Sequence, residues 1–238
     1  MTGFGAIVAQ ELRITLRRGE SVLLTFAIPL GLLVFFGSTD ILDLDIDEFV
    51  PALFSLSIVS AAFVGLAVAT GFERKYQVLK RFGATPVKRL TLVLAKTAAV
   101  AVVEVLQIAV LWLVAAVFFD WAPTMNWPGF LAAYVLGTVG PAGLAMLMAG
   151  RLRAEATLAL ANGMYFVFLA LGDVIVDLDS LPPAAAGIGS ILPVAPLTAA
   201  FQWATGVGTV TTANWVVLAA WAVAAPLLAS RLFTWEER

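Results

Sequence analysis

Long apolar stretches alternate along this chain with short segments that hold nearly all of its charge. Six stretches, 22–37, 49–72, 94–119, 129–149, 156–176 and 213–233, are predominantly apolar. A membrane-crossing helix needs about 20 such residues. The first stretch is the shortest, and the third is long enough to cross at a tilt. No run of ten-residue segments alternates apolar with polar positions, which is the pattern of a membrane β-barrel. The pattern therefore predicts an all-α polytopic membrane protein with six transmembrane helices.

The first twenty residues follow a different rhythm. Phe4, Ile7, Val8, Leu12 and Leu16 recur at helical spacing, with Gln10, Glu11, Arg13, Arg17 and Arg18 as the polar complement. This predicts an amphipathic helix over 1–20 lying in the membrane interface. A plain basic flank that only sets topology is the other reading. A cleaved signal peptide is disfavoured, because the basic region is long, Pro29 interrupts the apolar run and no small-residue cleavage pattern follows.

Charge gives the orientation. All 14 Lys and Arg fall within 1–21, 73–96, 150–155 and 231–238. The intervening connections carry Asp40, Asp43, Asp45, Asp47, Glu48, Asp120, Asp173, Asp177 and Asp179 and no cation. The two sets alternate, and the positive-inside rule places both termini in the cytoplasm. The acids at 40–48 read chiefly as a solvated outer turn, and weak cation binding is the alternative.

Composition removes whole classes of chemistry. The chain is 61% hydrophobic and 13% charged, far from the balance of a soluble domain. It contains no Cys and no His. Thiol nucleophiles, Fe–S clusters, imidazole bases and His-ligated metals are thereby excluded. It has no GxxxxGK[ST] phosphate loop. An intramembrane enzyme would need paired acids at depth, and an ion-coupled carrier would need ionisable relays in several spans. Only Glu104 lies deep in a span, with Gln107 one turn on. Such an acid must face protein or water, so Glu104 and Gln107 are either a polar spot on a transport route or a hydrogen-bonded packing pair.

Three other features stand out. Ser57, Ala61, Gly65 and Ala69 form a small-residue stripe suited to close helix approach. Gly137, Gly140, Pro141 and Gly143 predict a kink in the fourth span. Residues 181–208 are uncharged, apolar and broken by Pro182, Pro183, Pro193 and Pro196. They read as short helices dipping into the outer leaflet, with Trp121, Trp127, Trp203 and Trp215 near that boundary.

The densest chemistry is 73–89, ERKYQVLKRFGATPVKR. Tyr76, Leu79 and Phe82 share one side of a short helix, and Arg74, Lys75, Lys80 and Arg81 fill the rest. Gly83 and Pro86 end it. Such a helix either inserts its bulky residues into a groove on a soluble partner or lies on lipid.

Glu73, Leu79, Phe82, Thr85 and Pro86 resemble the E-x-x-x-G-x-L-x-x-L-x-x-T-P loop of ABC-2-type transporter permeases, the membrane subunits of type V ABC exporters. Gln77 stands where that family often has Gly, and Phe82 where Leu is usual. The amphipathic start, six spans and Pro-rich outer segment are also similar. The resemblance implies that 73–86 is a coupling helix docking on a separate ABC ATPase subunit. Glu73, Arg74, Tyr76, Leu79 and Phe82 would make the contact, and Thr85-Pro86 would set the exit into the third span. It further implies no cofactor in this chain, ATP and Mg on two partner ATPase copies, and a second permease copy, identical or related. Nucleic acid has no place in the reading. The expected function is export of a hydrophobic or amphipathic small molecule, drug-, antibiotic- or lipid-like, across a bacterial inner membrane. A lipid-linked glycan or lipid exporter, or a non-transporting structural membrane partner, is the alternative.

Overall fold

In this computed structural model, residues 3–17, 19–39, 45–83 and 87–235 are described. Among them all regular structure is helical, with no strand. Thr85 and Pro86, and Arg18, Asp40 and Asp43, lie outside the described residues, as does the side chain of Phe82.

In chain order the helices are α1 (Gly3–Arg17), α2 (Gly19–Gly37), α3 (Ile46–Lys75), α4 (Val78–Gly83), α5 (Arg89–Phe118), α6 (Trp127–Ala149), α7 (Ala154–Leu171), α8 (Pro183–Ile191), α9 (Val194–Thr205) and α10 (Thr212–Leu232). Five of them, α3, α5, α6, α7 and α10, are long and apolar enough to cross a membrane. Helix α2 has 19 residues, about 28 Å at 1.5 Å per residue, although its apolar part among the described side chains, Phe26–Gly37, is shorter. The expectation of six spans thus rests on five clear helices and the shorter α2.

Helix starts differ between the two ends of the bundle. At the acidic end, side chains cap the first turns, each accepting a backbone N–H: Asp45 from Asp47, Asn126 from Gly129 and Thr211 from Asn214. At the basic end, Lys88 and Arg153 precede α5 and α7 without a side-chain cap bond.

The core of the bundle is α3 and α6. Helix α3 is buried along most of its length and carries a π-helical segment at Val59–Gly65. That wider turn breaks the expected stripe: Ser57 and Ala61 are buried, while Gly65 is exposed. The glycines of α6 serve close packing. A Cβ at Gly143 would lie 2.4 Å from the Pro226 backbone nitrogen of α10, and one at Gly137 would lie 2.5 Å from Leu197 Cδ1 of α9. Helix α6 runs unbroken through Pro141.

The outer segment is two helices, α8 and α9, meeting at 74°. Helix α9 is buried against α3 and α6. Its surroundings accept and supply bonds: Thr198 Oγ1 donates to Gly172 O at 2.8 Å, and Trp221 Nε1 donates to Ile191 O at 2.9 Å. Broken backbone at membrane depth is tolerated when protein covers it in this way. Nearby, Trp112 stacks between Phe54 and Trp127.

Candidate functional site

The last turn of α3 spends three consecutive charged residues on three different neighbours. Successive helical residues point about 100° apart, so Glu73, Arg74 and Lys75 reach separate sectors. Glu73 Oε2 lies 2.7 Å from Lys96 Nζ two turns into α5, and Glu11 Oε2 of α1 lies 2.7 Å from the same nitrogen. The Lys96 side chain is 1% exposed. A buried ammonium is tolerable only when paired, and two carboxylates surround this one.

Arg74 is also buried. Its Nη1 donates to Ala149 O at the end of α6, and Nη2 donates to Leu152 O at 3.0 Å. These carbonyls lie at and just beyond a helix C-terminus, where no intrahelical donor remains. Lys75 pairs with Glu155 in the first turn of α7, at the helix end that favours a negative side chain. The root of the loop is therefore tied to α1, α5, α6 and α7.

Beyond this root the chain turns outward. Tyr76 stacks on Phe72 with ring centroids 6.1 Å apart and is 69% exposed. Gln77 has φ of 59°, the left-handed region. That conformation suits Gly and costs another residue about 1–2 kcal/mol, which gives a physical reason for Gly at this position of the motif. Helix α4 then presents Val78, 41% exposed, and turns Leu79 inward to complete burial.

The residues expected to meet a partner are thus divided. Glu73, Arg74 and Leu79 lie inside the chain's own packing, and Tyr76 stands outside it. Val78, not singled out in the sequence, joins Tyr76 as exposed apolar surface. Glu11, on the polar face of α1 by helical spacing, is turned inward. Its partner Lys96 lies 85 positions away, a pairing with no local signal.

Glu104 and Gln107 occupy a separate place. Both are buried between helices. Glu104 Oε2 accepts from Thr138 Oγ1 of α6 at 2.6 Å, while its Oε1 has no hydrogen-bond partner among the described residues. Tyr134 OH, also on α6, donates to Ala101 O at 2.6 Å. Neither Glu104 nor Gln107 reaches an open surface. By contrast Asn162, halfway along α7, is exposed, and its Nδ2 donates to Leu158 O of its own helix at 2.8 Å. An amide isolated in an apolar span is the signal the sequence carries for it. Among the described residues, no group of three or more acids could hold a metal ion.

A sequence model described as ABC-2 type transporter matches residues 2–205. The chain belongs to the ABC-2 type transporter family. The match takes in the loop root, α4 and the outer helix pair. An ABC-2 membrane domain is a permease component of an ABC transporter, so membership implies a membrane and an ABC ATPase as working partners. No curated protein matches the chain.

Proposed function

We propose that this permease is the membrane subunit of an ATP-driven exporter in a bacterial inner membrane, with both termini in the cytoplasm. Two copies of a separate ABC ATPase, binding ATP and Mg, dock beneath it, and a second permease copy completes the transporter. The cargo is a hydrophobic or amphipathic small molecule. The observation that carries this reading is the wiring of the loop root. A segment whose base grips four helices and which exposes Tyr76 and Val78 as it leaves them has the form of a lever, able to convert movement of a docked protein into movement of the bundle.

The cargo route is better assigned to the α7 surface than to Glu104. Asn162 lies eight residues past Ala154, about 12 Å into the membrane at 1.5 Å per residue. An amide facing lipid at that depth is costly, so this face suits a wet path enclosed with a second copy. Glu104 and Gln107 then act as a packing contact between α5 and α6, and the lack of large outer loops among the described residues fits a small cargo.

The test is co-purification from cells that co-express the permease with its cognate ATPase. Wild type retains the ATPase. Tyr76→Asp with Val78→Asp loses it while the permease stays at normal level in the membrane. Undiminished capture by that variant overturns the docking surface.

A further inference from the structure

The ion cluster at the loop root contains one member that comes from outside the loop and the two helices it joins. Glu11 belongs to α1, a helix whose sequence places it on the membrane surface. Ile7 and Glu11 are one turn apart on the buried side of α1, and Glu11 meets Lys96 at the same 2.7 Å as Glu73 does. The ammonium offers three N–H donors, and two of them go to carboxylates from different elements. No apolar contact would hold two elements in so definite a direction, and gathering two acids around one buried cation carries a desolvation cost that plain packing avoids.

We propose that Lys96 is a positioning residue that makes α1 part of the coupling lever: through the Glu11–Lys96–Glu73 bridge, α1 sets where the loop root sits. The consequence for coupling rests on the docking reading above; the mechanical link itself does not. Load on the docking loop passes to α1 as well as to α5, α6 and α7, and displacement of α1 at the membrane surface moves the loop.

The three charges are not equivalent in a test. Neutralising Lys96 leaves two buried carboxylates facing each other and threatens the fold. Neutralising Glu11 leaves a neutral Lys96–Glu73 pair, which a folded chain tolerates. The chain has no Cys, so single-cysteine reporters are clean. Leu79→Cys, fully buried on the loop, reports release of the loop; Ala204→Cys, fully buried at the opposite end in α9, reports general loosening.

The experiment is the rate of maleimide labelling of each reporter in membranes containing the full chain, with and without Glu11→Gln. The expected result is at least a fivefold faster rate at Leu79→Cys and an unchanged rate at Ala204→Cys. Glu11→Asp, which keeps the charge but shortens the reach by one methylene, gives a smaller rise at the same reporter. No rise at Leu79→Cys, or an equal rise at both reporters, overturns the proposal. The permease alone is measured, so that failure leaves ATPase docking untouched. Loss of docking in the co-purification test would leave the α1 link standing.

Discussion

Arg74 offers the sharpest energetic test of the loop root. Its guanidinium donates to Ala149 O and Leu152 O, bridging the end of α3 to the connection between α6 and α7. Hydrogen bonds from charged donors contribute about 1.5–3 kcal/mol each. Arg74→Met removes both and orphans two carbonyls, but it also relieves the cost of burying a charge. The balance comes to about 3 kcal/mol. At 1.4 kcal/mol per tenfold this corresponds to roughly 100-fold more frequent opening of the α3–α7 contact. Thr157 reports that contact. It is fully buried, and its Cβ lies 3.5 Å from where a Cβ on Gly71 of α3 would be. Thr157→Cys labelling by maleimide should therefore speed up by about two orders of magnitude in the Arg74→Met background, and by less in Arg74→Lys, which keeps the charge but not the fork. A change below threefold for Arg74→Met would refute the claim that this residue locks the loop to α6 and α7.

Three further outcomes follow from the same geometry. Gln77→Gly relieves a left-handed backbone at φ of 59°; after the entropy cost of Gly the loop gains about 0.5–1 kcal/mol, and Leu79→Cys labels roughly two- to fivefold more slowly, whereas faster labelling would contradict the strain. Gly143→Ala drives a Cβ to 2.4 Å from the Pro226 nitrogen, costs about 1–3 kcal/mol and lowers the thermal midpoint in detergent by several degrees; Gly163→Ala, with nothing within 4 Å of its added Cβ, does not lower the midpoint and gains the helix preference of Ala over Gly, and equal midpoints for the two variants would sink the packing argument. Asn162→Leu reduces ATP-driven accumulation of amphipathic dyes in inside-out vesicles at least fivefold with normal assembly, while Glu104→Gln leaves it near wild type; the reverse pattern would move the route back to the α5–α6 contact.

The sequence made the membrane architecture legible because lipid imposes a simple rule: apolar stretches of sufficient length, with charge between them. The outer helix pair was legible for a related reason, since Pro182, Pro183, Pro193 and Pro196 interrupt a greasy segment that cannot be solvated. The site was only partly legible. The motif located the loop, and helical spacing grouped Tyr76, Leu79 and Phe82 on one side. The one-sided reading did not anticipate the left-handed turn at Gln77, which separates exposed Tyr76 from buried Leu79. Periodicity within α1 put Glu11 on a polar face, because only the distant Lys96 makes an inward carboxylate affordable. The π-helical turn at Val59–Gly65 altered which members of the Ser57–Ala69 stripe are buried, and the spacing of small residues carries no sign of it.

The central claim is that the loop between α3 and α5 contacts an ATP-hydrolysing partner. Site-specific photo-cross-linking tests it most directly, with a photoreactive side chain placed at position 76 in one preparation and at position 127, at the opposite end of the bundle, in another. The expected outcome is an ATPase adduct from position 76, formed in intact membranes, and none from position 127. An ATPase adduct from position 127, or only lipid adducts from position 76 in membranes that contain the ATPase, would contradict it.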